Sequence, residues 1–190
     1  MTGQIPDIFL YNESEYDIVG IEGGELFNPS EYGFNPRPNS TACWRGFQLF
    51  FSIDDKKRLI LDKMYINQKE RKIFQGKKPK RVRKPEGITF PYHYFNLQFQ
   101  LNFSDSILIA KDFINEYYIH MGFQSPRSYK IVFELTFKDG LLISEKDLSE
   151  QMEKDRSSEQ NLPQRPSVSA SEEEITSWIK ETFDLDYKKE

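Results

Sequence analysis

Alternation of apolar and polar residues is the main pattern in this chain, and it predicts β-strands. Apolar residues alternate with Asn and Gln from Phe95 to Phe103, which is typical of a strand with one buried and one exposed face. Tyr129–Phe137 alternates in the same way, and Asp139 and Gly140 are typical of a two-residue turn into Leu141–Ser144. The sequence therefore predicts one strand at 95–103 and a hairpin after it.

Shorter apolar runs in the first third of the chain also predict strands. They are Ile8–Tyr11, Asp17–Ile21, Trp44–Ile53 and Arg58–Ile66. The first two predict a hairpin or two short strands. The last two flank a four-residue turn, so we expect them to pair as a hairpin. Between these runs, Gly23–Ser40 is dense in Gly, Pro and Asn, which indicates a long ordered loop.

Two segments of the body show helical spacing. From Asp112 to Gly122 the apolar residues recur at intervals of one and four, and Gly122 suits the position after a helix C-terminus. Ser144 and Asp147 resemble a capping box for a short helix through Met152. These patterns predict one or two short helices beside the strands.

The end of the chain has a different composition. Glu153–Ala170 contains few aliphatic residues, so it cannot bury enough surface to offset the cost of ordering, and we interpret it as a disordered linker. Ser171 and Glu174 then form a capping box for an amphipathic helix over 171–187. Its apolar face is predicted to bind a partner and consists of Ile175, Trp178, Ile179 and Phe183.

Aromatic residues make up 15% of the chain, and their preference for strands supports a mainly β fold. We predict an antiparallel, partly closed barrel or sandwich with one or two short helices. The alternative is an α+β fold with a helix packed on one face of a sheet. The predicted organisation is a β-rich body over 1–152, a disordered linker over 153–170 and a C-terminal helix over 171–187.

The sequence also bears on the compartment. Cys43 is the only cysteine, so no intrachain disulfide is possible. We recognise no signal peptide and no run of about 18 apolar residues that would span a membrane. The expected location is therefore cytoplasmic, with nuclear import an option only in a eukaryote, and no membrane partner is predicted.

Charge is segregated along the chain. From Lys56 to Lys84 there are 13 basic residues and two acidic ones, a local net charge of +11. The first 43 residues and the last 46 each have a net charge of −6, so the overall charge of −4 hides a basic middle. Such a distribution bears on binding partners rather than on the fold.

The densest basic tract is predicted to be an extended arm or a loop, because its prolines exclude a helix. Its cations, which could bind nucleic acid by contacting phosphates, are Lys77, Lys78, Lys80, Arg81, Arg83 and Lys84. Nearby rings that could stack on bases are Phe74, Phe90, Tyr92 and Tyr94. The alternative is that the charges keep the edge of a sheet from pairing with other chains.

No motif in the sequence assigns a catalytic residue. Cys43 would be a nucleophile if Arg45 lowered its pKa and His93 or His120 acted as a base, but a free cysteine is more often a buried apolar residue. Two histidines without cysteine partners do not make a structural zinc site. Catalytic residues therefore stay unassigned, and neither a cofactor nor a metal is predicted.

Three hypotheses for the function follow from these observations. The first is a non-enzymatic protein-interaction module that consists of the β body, the charged arm and the tail helix. The second is a small-ligand-binding protein or a hydrolytic enzyme with a pocket lined by aromatic residues and the 23–40 loop. The third is nucleic-acid binding through the arm at 77–84.

Overall fold

A mixed β-sheet of ten strands forms the body in the computed structural model, which describes residues 2–38, 40–82, 90–120 and 122–157 and, in the tail, residues 171, 173, 174, 176 and 185. The strands are β1 Ile8–Tyr11, β2 Ser14–Ile21, β3 Phe47–Ile53, β4 Leu59–Ile66, β5 Lys80–Arg81, β6 Tyr92–Tyr94, β7 Phe99–Gln100, β8 Asp105–Phe113, β9 Tyr129–Lys138 and β10 Leu141–Asp147. One α-helix, α1, spans Ser149–Ser157. Short 3₁₀ turns lie at Pro29–Tyr32, Asn115–Tyr117 and Pro126–Ser128.

The strands follow one another across the sheet in the order β10-β9-β8-β2-β1-β3-β4-β6-β5, and β7 pairs with β4. All the pairings are antiparallel except that of β1 with β3, which is parallel. The mainly β fold predicted from the sequence is therefore confirmed, as are the hairpins β1–β2, β3–β4 and β9–β10. Within the described residues, no helix is long and apolar enough to cross a membrane.

The sheet is not closed into a barrel, but the start of β4, on one side of the central strand β1, meets the start of β10, on the other side. Arg58, just before β4, forms an isolated bridge with Leu141 at the start of β10. The Leu59 N–H donates a hydrogen bond of 2.8 Å to the carbonyl oxygen of Gly140. Gly140 has a φ of 76°, and a Cβ there would lie 2.1 Å from the Leu101 carbonyl oxygen, so only glycine fits this corner.

One hydrophobic core fills the inner face of the sheet from end to end. Its fully buried side chains include Phe9, Leu49, Phe51, Leu61, Met64, Tyr94, Ile107 and Leu135. These residues come from strands in both halves of the sheet, so the sheet curls around a shared core. Each large apolar side chain buried here contributes about 1.5–3 kcal/mol to the free energy of folding.

Helix α1 covers part of the outer face, over β8 and β9. Leu148 and Met152 pack against a second cluster that includes Leu108 and Val132. The Arg156 guanidinium donates hydrogen bonds to the carbonyl oxygens of residues 127 and 129, at 3.1 and 2.7 Å. These contacts extend the helix through 153–157, five residues that the sequence had placed in the linker, and 158–170 lie outside the described residues.

The start of α1 corrects the capping box predicted at Ser144. Ser144 and Asp147 both belong to β10, so Ser144 caps no helix. Instead, Asp147 Oδ1 accepts hydrogen bonds from the N–H and the hydroxyl of Ser149, at 2.8 and 2.5 Å. The carboxylate of Asp147, at the end of the strand, thus satisfies the N–H of the first residue of the helix.

The continuous strand predicted at 95–103 is wrong. Only Phe99–Gln100 pairs with β4, because Asn96 and Gln98 have left-handed φ angles of 50° and 51° and interrupt the extended backbone. Leu97, Leu101 and Phe103 are nevertheless buried, as the alternation indicated, whereas Phe95 is 39% exposed. The period of two thus predicted most of the buried side chains but not the backbone conformation.

The helix predicted at 112–122 is also wrong. Residues 112 and 113 complete β8, and a single 3₁₀ turn follows at Asn115–Tyr117. The Ile114 N–H donates a hydrogen bond to the carbonyl oxygen of Ser128, so the backbone is held by a tertiary contact. β-Branched and aromatic residues have low helix propensity, and strand pairing with β9 overrides the helical spacing.

The 23–40 loop is ordered by aromatic packing, as the sequence indicated. Phe27 stacks on Tyr32, with ring centroids 4.7 Å apart, and meets Phe74 and Phe99 edge to face. Phe34 packs edge to face on Phe74 at 5.4 Å. These ring contacts hold residues 27–34 of the loop against the core.

We expect Leu61→Ala to lower the free energy of unfolding by about 2–5 kcal/mol, because Leu61 is fully buried and its truncation leaves a cavity. Leu10→Ala is the matched control, since Leu10 lies on the outer face of β1 and is 46% exposed, and should cost less than about 1 kcal/mol. Urea unfolding measures both values. Equal losses would contradict the assignment of inner and outer faces.

Candidate functional site

A cavity of about 230 Å³ opens where β2 ends beside β3 and the 23–40 loop. We call it the Arg45 pocket, and its lining residues are Asp7, Ile21, Gly24, Glu25, Leu26, Phe27, Arg45, Phe47, Leu49, Phe51, Phe123 and Leu185. Most of these side chains are apolar, and three are charged. Concave apolar sites with few, fixed polar groups are typical of binding pockets.

An ion pair between Asp7 and Arg45 forms the polar side of the pocket. Arg45 Nη1 donates to Asp7 Oδ2 at 2.8 Å and Nη2 donates to Oδ1 at 3.0 Å. Oδ1 also accepts a hydrogen bond of 2.8 Å from the Leu49 N–H. The Asp7 side chain is only 6% exposed, so both carboxylate oxygens are committed to these partners away from water.

The Arg45 guanidinium lies between two aromatic rings. Its central carbon is 4.9 Å from the centroid of Phe47 and 5.2 Å from that of Phe123. Burial lowers the pKa of Arg45, but the charge and hydrogen bonds of Asp7 raise it by more, so the pKa lies above its usual value. Arg45 is thus a fixed cation held by one carboxylate and two rings.

Leu185 of the C-terminal tail lies at the pocket. The Ile21 N–H donates a hydrogen bond of 2.6 Å to the Leu185 carbonyl oxygen, and the half-buried Leu185 side chain packs against the core. β1 pairs with β2 only between Ser14 and Asp17, so Ile21 lies beyond the reach of β1. Leu185 therefore occupies an open edge of β2.

The sequence analysis missed Leu185, although a signal was present. Apolar residues at positions 183, 185 and 187 alternate with Asp184 and Asp186, which is a period of two and typical of extended chain. The Ser171–Glu174 capping box is observed: the Ser171 N–H donates to Glu174 Oε2 at 2.8 Å and the Glu174 N–H to Ser171 Oγ at 3.2 Å. The predicted binding face, Ile175, Trp178, Ile179 and Phe183, lies outside the described residues.

The basic arm begins as the edge of the sheet. Lys80 and Arg81 form β5, in which Lys80 pairs with His93 of β6. Lys77 and Lys78 precede this strand and are exposed. The described part of the arm is thus an edge strand carrying several cations, and Arg83 and Lys84 lie outside the described residues.

The rings predicted to stack on bases beside the arm are buried instead. Phe74, Phe90, Tyr92 and Tyr94 are at most 6% exposed. Residues 92 and 94 alternate with His93 along β6, so burial of the two tyrosines turns the histidine outward. This part of the nucleic-acid hypothesis is wrong as stated, because it assigned the stacking role to buried rings.

Cys43, His93 and His120 each contact different residues. Cys43 is 3% exposed, and its thiol donates a hydrogen bond of 3.5 Å to the Phe47 carbonyl oxygen. Burial raises the pKa of the Cys43 thiol despite the nearby Arg45 charge. His93 stacks on Tyr65, and the exposed His120 packs edge to face on Tyr118. A protonated, buried thiol does not favour the nucleophile hypothesis.

The part of the chain that the structure describes contains no cluster of side chains suited to bind a metal ion. There, no group of three or more His, Cys, Asp and Glu side chains is placed so that it could hold a metal ion. The charged residues of the Arg45 pocket are Asp7, Glu25 and Arg45, and Asp7 is already bound to Arg45. What the pocket offers is an apolar surface beside a fixed cation.

Comparison of the chain with models of protein families, with curated proteins and with solved structures found no match. No activity is therefore carried over from another protein. The functional inferences that follow rest on the contacts of this chain alone.

We expect Asp7→Asn to lower the free energy of unfolding by about 3–5 kcal/mol, because it leaves the Arg45 cation without its buried partner. The control is Asp54→Asn, which breaks the Arg58–Asp54 pair in an exposed turn and should cost about 1 kcal/mol or less. Urea unfolding of both variants gives the comparison. A smaller loss for Asp7→Asn than for Asp54→Asn would show that the pair does not brace the fold.

The native Cys43 thiol should react very slowly with a chromogenic disulfide reagent at pH 7, because burial both blocks access and raises the thiol pKa. The same protein in urea should react at the rate of an ordinary free thiol. Absorbance stopped-flow measures both rates. Rapid modification of the folded protein would restore the nucleophile hypothesis.

Proposed function

We propose that this protein is an interaction module whose Arg45 pocket binds an extended peptide segment through an aliphatic side chain. The observation that supports the proposal is Leu185 of the chain's own tail, which lines the pocket and accepts a hydrogen bond from the Ile21 N–H beside it. A segment of the same chemistry, supplied by a partner protein, would make the same two contacts. The partner's residue would be leucine or a similar aliphatic residue in an extended backbone.

The two contacts of Leu185 divide recognition between backbone and side chain. The Ile21 N–H is a main-chain donor at the open edge of β2, and any extended segment can accept from it. The side chain lines a cavity of about 230 Å³ whose other walls include Phe27, Phe47 and Phe51, so this space is left open beside Leu185. An apolar cavity of about 150 Å³ already holds a benzene-sized group, so the pocket is large enough for one aliphatic side chain.

The chemistry of the pocket supports binding rather than hydrolysis. Both oxygens of Asp7 accept hydrogen bonds from Arg45, and one also accepts from the Leu49 N–H. A carboxylate so engaged is a weak candidate for a general base, which must reach a proton of the substrate or of water. Glu25 is the other acid in the lining, and it is exposed at the rim.

A labelled peptide with the sequence of residues 181–190 tests the proposal on the full-length protein. In the wild type the tethered Leu185 competes at an effective concentration in the millimolar range, so the peptide should bind weakly. Leu185→Ala removes the tail's apolar side chain from the pocket wall, and we expect this variant to bind the peptide about tenfold more tightly than the wild type does. Fluorescence anisotropy measures both dissociation constants.

Matched variants separate the pocket from non-specific binding. A peptide in which Ser replaces Leu185 should bind neither protein, and Leu141→Ala, which truncates an exposed leucine of β10, should behave as the wild type. Adding Phe123→Ala to the Leu185→Ala protein removes part of the pocket lining and should weaken binding. The proposal fails if wild type and Leu185→Ala bind the peptide equally, or if the Ser-containing peptide binds as well as the original.

A further inference from the structure

The outer face of the sheet carries a row of aromatic rings in contact that no helix of the described chain covers. Tyr65 of β4 stacks on His93 of β6 with ring centroids 3.9 Å apart and planes inclined by 18°. Phe50 of β3 lies on the other side of Tyr65 at 4.6 Å. All three side chains are half-buried, so the row reaches the surface as a continuous aromatic strip.

Phe95 adds a solvent-exposed ring to this strip. It is 39% exposed and meets Tyr65 and His93 edge to face, at centroid distances of 5.9 and 6.1 Å. Asn96 follows with a left-handed φ of 50°, which ends the strand direction of β6. A large apolar ring held at the surface by two others can accept a planar ligand by stacking.

Cations flank the strip on both sides. Lys63 pairs with Phe50, and its ammonium lies 5.7 Å from the ring centroid. Lys80 pairs with His93 on the other side, and Arg81, Lys77 and Lys78 continue along the sheet edge. The ion pairs observed in the described residues are Arg45–Asp7 and Arg58–Asp54, so none of these five cations is neutralised there by a carboxylate.

We propose that this aromatic strip, together with the basic edge, is a binding surface for single-stranded nucleic acid. The face lies apart from the Arg45 pocket and shares none of its lining residues, so the two proposals are independent. Unpaired bases stack on exposed rings without regard to sequence, and the adjacent cations contact phosphates. A duplex hides the faces of its bases, which makes an exposed ring useful only for a single strand.

The aromatic strip also distinguishes nucleic acid from an acidic polypeptide. Both are polyanions that the basic edge would attract, but only nucleic acid carries planar bases at regular intervals along its charges. Burial lowers the pKa of His93 below its usual value, so at neutral pH its ring stacks without a charge. The surface therefore combines neutral rings with unpaired cations, as single-strand binding requires.

Binding of a fluorescein-labelled single strand of 20 thymidines to the full-length protein tests this proposal by anisotropy. If the five cations contact phosphates, log K should fall with log salt with a slope of about −3.5 between 50 and 200 mM. Lys80→Gln should reduce that slope by about 0.7, whereas Phe95→Ala should weaken binding by roughly five- to a hundredfold with the slope unchanged. The controls are Lys138→Gln and Ile143→Ala, exposed residues of the β9–β10 hairpin.

Specific results would overturn the proposal. They are an absence of binding at 50 mM salt, equal or tighter binding of a matched DNA duplex, equal binding of polyglutamate, and a Phe95→Ala affinity within twofold of the wild type. The last three of these results would show that the basic edge attracts polyanions without recognising their bases. Circular dichroism spectra and thermal melts of each variant separate loss of binding from loss of fold.

Discussion

The fold depends on the pairing of β1 with β3, and the Asp7 carboxylate stabilises this pairing. β1 is the central strand of the sheet, antiparallel to β2 on one side and parallel to β3 on the other. The parallel pair has no hairpin to fix its register. Asp7 supplies that constraint, because its carboxylate joins the Arg45 guanidinium to the Leu49 N–H at the start of the parallel pairing. The ion pair therefore adds to the shared core and the Gly140 corner in fixing how the two halves of the sheet are joined.

The same ion pair shapes the Arg45 pocket, which ties folding to binding. Arg45 is held between Phe47 and Phe123, and both rings line the cavity. A change at Asp7 or Arg45 therefore disturbs the sheet as well as the pocket, and it cannot separate stability from affinity. Leu185 and Phe123 lie at the edge of this arrangement, which makes them the better probes of binding.

The sequence predicted the strands where local pattern and tertiary contacts agree. The hairpins β1–β2, β3–β4 and β9–β10 follow from alternation and turn residues close in the chain. Predictions failed at 95–103 and 112–122, where left-handed Asn96 and Gln98, or pairing of β8 with β9, decide the backbone. Neither effect can be recognised from the periodicity of apolar residues, because each depends on contacts with distant parts of the chain.

The candidate sites were harder to predict because their parts come from distant segments. Arg45 was noticed only as a neighbour of Cys43, since its partner Asp7 lies 38 residues earlier. Near the basic arm, the rings that the sequence analysis chose for stacking are buried. The alternation of Tyr92, His93 and Tyr94 defines two faces, and only the fold shows which one is turned inward.

Segregated charge allows an acidic protein to carry a basic binding face. The pI of about 5.4 describes the whole chain, whereas a ligand at the sheet edge experiences charges within about one Debye length, roughly 8 Å at physiological salt. Within the described residues, Lys77, Lys78, Lys80 and Arg81 form no ion pair. Among the residues that the structure describes, no carboxylate is paired with this edge, so the overall charge is no argument against binding of an anion there.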